Sequence, residues 1–257
     1  MRPYIILIPT ILLLFLSCRK VNEDCNAHEY PNAPETVWYS EVNGSEDESH
    51  GHFIMSCSDG GYLQIGETGF IPNSAKILVI KTNSSGNLMW KKEFGDGGNN
   101  LGNSAIETSD GYIICGALNE NSTLIKLEKN TGSEIFRQSV DNGGSDAFEH
   151  LTITLNGIVA VGYVNADDNS NTFYTEGEGF ITFLDSNGIK QMGFNINAHL
   201  SHAYRIQLHN GDLFISGLTE GANDYGLIKT DISGNVLWSK YFGGAKADHC
   251  FGMDMSD

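Results

Sequence analysis

A pattern of about 50 residues that recurs four times constrains this sequence more than any other feature. Each copy has a strand-like run, a turn built on Asp-Gly or Asn-Gly, and a second run that ends in glycine. The turns are Asp59-Gly60, Asp110-Gly111, Asn156-Gly157 and Asn210-Gly211. These dipeptides favour the type I′ hairpin, in which both central residues have positive φ.

The runs after these turns, residues 62–66, 112–116, 158–162 and 213–217, are short and almost wholly apolar. Such runs are typical of strands buried between two packed sheets. A third strand follows in each copy and turns at Gly86, Gly132, Gly188 or Gly234. A large side chain stands four residues later, and we expect it to pack between neighbouring sheets. These side chains are Trp90, Phe136, Met192 and Trp238.

The four turn glycines are 46, 56 and 46 residues apart, a period typical of propeller blades. Four antiparallel strands per period predict an all-β fold, a β-propeller with blades at about residues 50–95, 100–141, 146–197 and 200–243. Trp38 begins a lone fourth strand before the first blade. Residues 251–257 align with residues 104–110 and stop before the expected Gly-Tyr, which predicts partial blades at both ends and an incomplete ring or fragment. A complete ring would have about six to eight blades.

Charge excludes one class of partner. The formal net charge of −17 repels phosphate backbones and anionic lipid headgroups, so electrostatic nucleic-acid binding is not expected. Cations, glycans and other proteins remain as partners.

The amino terminus predicts export. Residues 4–16 form an apolar run that is shorter than the ~20 residues of a membrane-spanning helix, so residues 1–17 fit a signal peptide. The run ends in Ser17-Cys18 and resembles the bacterial lipobox, which implies that Cys18 is lipidated; Ser-Cys-Arg-Lys is similar to lipoproteins of the Bacteroidetes. An ordinary secretory signal or a short uncleaved anchor is the alternative. We expect residues 18–35 to be a tether, residues 36–257 to be the propeller, and the protein to be anchored extracytoplasmically, at the outer membrane, facing the periplasm or the surface.

Four cysteines follow Cys18, and export would permit disulfides. Spacing cannot assign their pairing. Cys57 and Cys115 lie inside strand-like runs, which favours buried small apolar side chains.

Three segments carry a family resemblance: Ser-Asp-Gly-Gly-Tyr at 58–62, Ile-Lys-Thr-Asn-Ser-Ser-Gly-Asn-Leu-Met-Trp at 80–90 and Ile-Lys-Thr-Asp-Ile-Ser-Gly-Asn-Val-Leu-Trp at 228–238. They resemble repeats of secreted bacterial propellers of the quinoprotein-like superfamily. Residues 127–136 are similar to the tryptophan-docking motif of pyrroloquinoline quinone dehydrogenases, with Phe136 in place of the tryptophan. The resemblance implies a structural role for that motif. It does not extend to the cofactor, because the adjacent-cysteine pair and a calcium-ligand set are absent from the sequence.

Polar residues that could bind a ligand concentrate before the innermost strand of each blade. These loops emerge on one face around the central channel, so converging imidazoles and carboxylates could bind a divalent metal or a cationic group. The candidates are His50, His52, Asp146, Glu149, His150, His202 and His249. The alternative is that they cap backbone amides. No organic cofactor is expected.

A longer loop in the third copy, residues 165–179, carries Asp167, Asp168, Phe173 and Tyr174. Long loops on a rigid scaffold often recognise partners. A solvated insertion with no partner is the alternative.

These features favour a binding or scaffold module for a protein or glycan over an enzyme. No nucleophile-elbow sequence occurs and no catalytic residue is assigned. The alternative is a propeller hydrolase, lyase or quinoprotein-type subunit that uses the acidic, histidine-rich channel face.

Overall fold

A computed structural model describes residues 39–46, 48–70, 73–141, 144–166, 177–219, 224–246, 248 and 250–255. The chain divides into two units, Met1–Val37 and Trp38–Asp257, and every described residue belongs to the second. This part of the chain consists of strands and turns. It holds no helix long and apolar enough to cross a membrane.

Sixteen strands lie within the described residues. They are β1 (Ser49–Ser56), β2 (Tyr62–Thr68), β3 (Lys76–Thr82), β4 (Leu88–Phe94), β5 (Leu101–Glu107), β6 (Tyr112–Leu118), β7 (Asn121–Leu127), β8 (Glu134–Val140), β9 (Ser145–Thr154), β10 (Gly157–Ala166), β11 (Glu178–Leu184), β12 (Lys190–Asn195), β13 (His202–His209), β14 (Asp212–Leu218), β15 (Tyr225–Thr230) and β16 (Val236–Phe242).

Each run of four consecutive strands forms one antiparallel sheet in chain order, so the first sheet is β1-β2-β3-β4 and the other three repeat this arrangement. The innermost strands β1, β5, β9 and β13 contact one another in sequence, and β5, β9 and β13 also pack on the sheet before them. This is the blade arrangement of a propeller, and the predicted fold class is confirmed. The four described sheets are not closed into a ring.

The second strands of the two inner blades are apolar because they are covered on both faces. In β6, Tyr112 and Ile114 belong to the apolar core shared with the first sheet. Ile113 and Cys115 belong to the core shared with the third sheet. Successive side chains of a strand point to opposite faces, so a strand between two sheets must be apolar at every position. Cys57 and Cys115 are both buried with free thiols.

Neighbouring blades are joined by a side chain of the outermost strand. Trp90 of β4 is 7% exposed, and its Nε1–H donates to the Lys129 carbonyl of the second sheet at 2.9 Å. Its ring covers Gly132, where a Cβ would lie 2.7 Å from the indole. Phe136 covers Gly188 of the third sheet in the same manner. Gly132 and Gly188 are therefore required by these ring contacts as well as by their positive φ.

The structure differs from the sequence prediction at Met192, which is 44% exposed. Phe194 instead lies against Gly234, and its ring stacks on Phe183 with centroids 5.9 Å apart. The reason is the residue at position 183. The other three blades have a lysine there, whereas Phe183 supplies the apolar surface that shifts the contact by two residues along β12.

The predicted type I′ geometry occurs only at Asn210-Gly211 among the four predicted turns, with φ of 51° and 85°. Asp59 does not adopt positive φ. Its Oδ1 accepts from the Gly61 N–H at 2.8 Å, and its Oδ2 pairs at 2.7 Å with Lys81, a lysine with 0% side-chain exposure. The Lys81 ammonium holds the pKa of Asp59 below its usual value. The turn is set by this ion pair, which selects a different backbone conformation.

The partial blades at the two ends stay a prediction. Trp38 lies outside the described residues, and residues 39–46 form no strand. Residues 250–255 form no strand either, yet they run beside β13, where Arg205 Nε donates to the Phe251 carbonyl at 3.2 Å.

We expect Trp90→Ala to lower the free energy of unfolding by about 3–5 kcal/mol, because it removes a buried indole and its hydrogen bond. Trp238→Ala is the matched control: Trp238 occupies the same repeat position but is partly exposed. Trp238→Ala should lower the free energy of unfolding by less than half as much as Trp90→Ala does. Urea unfolding measures both, and equal losses would contradict the proposed role of Trp90 between blades.

Candidate functional site

A β-bulge occurs at the same position in the innermost strand of all four blades. The pairing between β1 and β2 skips from Gly51 to Phe53, so His52 has no partner across the ladder. The equivalent bulged residues in the other blades are Asn103, Glu149 and Tyr204. Bulges redirect side chains and are common next to functional sites.

In the second to fourth blades the bulged side chain reaches the segment that follows in the chain. Asn103 Nδ2 donates to the Phe148 carbonyl at 3.0 Å, and Glu149 Oε1 lies 2.9 Å from His202 Nε2. The Tyr204 ring meets the Phe251 ring edge-on at 4.9 Å. The bulge is thus a structural device for joining adjacent segments. The first blade uses it differently.

In the first blade, His50 and His52 converge on one carboxylate. Glu67 of β2 pairs directly with His50 in the sheet, so their side chains share a face. Glu67 Oε2 lies 3.2 Å from His50 Nε2 and 3.0 Å from His52 Nε2. The two imidazole rings are 5.2 Å apart. Hydrogen bonding to the buried carboxylate is the main cause that raises the pKa of His50.

Glu67 is the acid of this group that sequence reasoning missed. It is 1% exposed, and its Oε1 accepts from the Gly102 N–H of β5 at 3.0 Å. The signal was present in the repeat: Glu67 follows the glycine that ends the second strand, where the other blades have Ala117, Tyr163 and Leu218. A charged residue at a repeat position that is apolar or aromatic in the other blades indicates a role other than packing.

A second group joins the third and fourth blades. His202 is buried between the rings of Tyr163 and Tyr204, with centroid distances of 4.5 and 4.1 Å. Its Nε2 forms a hydrogen bond with Glu149. Burial raises the pKa of Tyr163, so this phenol stays neutral. Asp146 is fully buried at the start of β9, and its N–H donates to the Glu120 carbonyl at 2.7 Å.

His150 lies apart from both groups. Its Nδ1 is 3.1 Å from the Ile206 carbonyl, and its ring meets Phe53 of the first blade edge-on at 6.1 Å. The Arg205 guanidinium also contacts Phe53, with its Cζ 5.5 Å from the ring centroid. Burial, and then the Arg205 charge, lower the pKa of His150 to about 4.

The predicted ligands therefore do not form one site. Among the described residues, only His50, His52 and Glu67 bring three metal-ligating atoms within 4.8 Å of one another. Several predicted residues lie outside the described part of the chain. They are Cys18, Trp38, Asp167, Asp168, Phe173, Tyr174 and His249.

A recess of about 360 Å³ opens between the third and fourth blades. The exposed ring of Tyr241 on β16 forms one wall, and its hydroxyl lies 3.1 Å from His199 Nδ1. The rest of the lining is polar apart from one alanine. It consists of Asn197, Ala198, Thr219 and Asp224.

No protein-family model and no curated protein matches this chain. Among solved structures, the chain is similar to BamB from Moraxella catarrhalis, with 13% sequence identity and a TM-score of 0.38. The match covers 79% of this chain and 75% of that one.

The lowered pKa of His150 predicts a pH dependence of stability. The unfolded chain takes up a proton near pH 6.5, whereas the folded state does so only near pH 4. The folded state therefore loses up to about 3 kcal/mol as the pH falls through this window, and loses nothing further below it. His150→Gln keeps a donor for the Ile206 carbonyl but does not titrate. Urea unfolding at pH 7, 5.5 and 4 should show a shallower acid loss in the variant, and parallel curves would contradict the assignment.

Proposed function

We propose that this chain is an extracytoplasmic, lipid-anchored binding protein whose propeller takes a neutral glycan in the recess between the third and fourth blades. The observation that carries the proposal is the exposed ring of Tyr241 beside an amide, an imidazole and a carboxylate. A flat aromatic face suits the apolar face of a sugar ring, and the polar groups can bond its hydroxyls.

The polar groups of the recess offer both donors and acceptors. Asn197 supplies an amide, whose N–H groups can donate. Asp224 supplies acceptor oxygens, and His199 a ring nitrogen. A volume of about 360 Å³ is at the small end of the range for ligand pockets, which is about 300–1,000 Å³. That size fits one or two sugar units.

The negative charge of the protein favours neutral glycans over anionic ones. The net charge of −17 disfavours sulfated or uronic polymers, and Asp224 would repel an anion at the recess itself. Neutral polysaccharides are therefore the ligand class that this surface fits best.

The location rests on the sequence of the amino terminus. An apolar run that ends in Ser17-Cys18 supports export and lipidation, and a tether over residues 18–35 would separate the anchor from the propeller.

A protein partner is the second candidate, and the outermost strand of the fourth blade favours it. In β16, Leu237 is 53% exposed and Phe242 is 42% exposed, on a strand whose outer edge is unpaired among the described residues. β4 is the equivalent outermost strand of the first blade, and it carries Lys91, Lys92 and Glu93, whose charges protect an edge. A partner could extend the fourth sheet at β16 by one strand.

Tyr241→Ala should weaken binding to a neutral polysaccharide by about tenfold or more, because it removes the platform of the recess. Affinity electrophoresis of the full chain in gels that contain mannan, xylan or β-glucan measures this retardation. Tyr39→Ala is the control, since Tyr39 is an 82% exposed tyrosine outside the recess.

Leu237→Lys separates the two candidates. It should leave glycan retardation unchanged and abolish an association through the β16 edge. Retardation that is absent in the wild type, or equal in wild type and Tyr241→Ala, would contradict the glycan proposal.

Lipidation has its own test. Cells that express the full chain should incorporate labelled palmitate, and Cys18→Ala should abolish the incorporation. Cys25→Ala is the matched control, because it removes the next cysteine in the chain and should leave the label in place. Label that persists in Cys18→Ala would exclude this anchor.

A further inference from the structure

We propose that His50, His52 and Glu67 of the first blade form a binding site for a divalent cation of the zinc class. This site is separate from the recess and does not depend on the glycan proposal.

The buried carboxylate is the first argument. Glu67 is 1% exposed, and among the described residues no lysine or arginine lies within 4.0 Å of it. A buried carboxylate is costly unless a positive charge and hydrogen bonds compensate it. The Gly102 N–H satisfies one oxygen, and among the described residues the other oxygen lies within 4.0 Å of two imidazoles. A bound dication supplies positive charge directly at this oxygen.

The fold itself does not require this acid. The residue that pairs with Glu67 is His50, and the equivalent pairs are Leu101 with Ala117, Ala147 with Tyr163, and His202 with Leu218. Apolar or aromatic side chains therefore serve at this position in the other three blades. The first blade alone places a carboxylate there, together with two histidines.

The distances fit a metal. A zinc ion bonds imidazole nitrogen and carboxylate oxygen at about 2.0–2.2 Å, so two ligands of a tetrahedral site lie about 3.3 Å apart. The two Nε2 atoms lie 3.2 and 3.0 Å from Glu67 Oε2. All three ligand atoms lie within 4.8 Å of one another, which is close enough for one cation to contact all of them.

The ligand types select the cation. Two nitrogens and one oxygen suit Zn²⁺, Cu²⁺, Ni²⁺ or Co²⁺, whereas Ca²⁺ and Mg²⁺ prefer oxygen alone. The histidine side chains are 47% and 30% exposed, so a cation can reach the site from solvent and keep at least one coordination position for water or a ligand. Glu48 Oε1 lies 3.9 Å from His50 Nδ1 and adds a negative charge beside the site.

Zinc titration of the full chain tests the site. The protein, purified in detergent and stripped with a chelator, is titrated with ZnCl₂ by calorimetry at pH 7.5. One equivalent should bind in the wild type and raise the unfolding temperature, because the cation binds the folded state. His50→Ala with His52→Ala, and separately Glu67→Ala, should weaken the affinity by more than about tenfold, since even partners outside the ligand shell are worth about 10–100-fold.

Two controls keep the test decisive. His209→Ala and Cys250→Ser remove a histidine and a thiol outside the group and should bind zinc as the wild type does. Glu67→Ala copies Ala117 and should be as stable as the metal-free wild type; if it does not fold, the double histidine variant carries the test alone, because those side chains are exposed. Absence of zinc binding in the wild type, or equal binding in all variants, would overturn the proposal.

Discussion

The packing of one blade's sheet against the next is the constraint on which the rest of this structure depends. The second and third strands of the inner blades are covered on both faces, so most of their central side chains are apolar. Each innermost strand has a bulge, and most of the bulged residues are polar. His52, Asn103, Glu149 and Tyr204 all occupy it. The bulge is therefore one place in this fold where the core leaves polar side chains free to vary.

Most of the architecture could be predicted from the sequence because this packing leaves a direct trace. Apolar runs, turn glycines and a large side chain four residues beyond each glycine identify four blades. What failed was local substitution within the pattern. Phe183 stands where three blades have a lysine, and this moved the inter-blade contact from Met192 to Phe194. Turn dipeptides predicted a backbone conformation that the Asp59–Lys81 ion pair overrides.

Much less of the candidate sites could be predicted. Seven polar residues in loops of similar position suggested one converging group, but the fold distributes the six that the structure describes among three environments. His150 contacts a backbone carbonyl, and His202 lies between two tyrosines. The position of a residue within a repeat indicates which face it lies on. Which neighbour it meets depends on the bulge and on the sheet beside it, and neither is visible in one copy of the pattern.

Departures from the repeat differ in whether they are compensated. In the third blade, the lysine of the buried ion pair is replaced by Phe183, and the turn aspartate is replaced in the same blade by Asn156, so that neither charge is left without the other. The two replacements remove both charges of the ion pair, as expected when only the packing of the blade changes. Glu67 is the opposite case. It adds a buried negative charge where Ala117, Tyr163 and Leu218 show that none is needed, and the basic groups within 4.0 Å of it among the described residues are two solvent-facing imidazoles. A buried acid whose partners are two imidazoles and one backbone N–H supports a role for Glu67 other than packing.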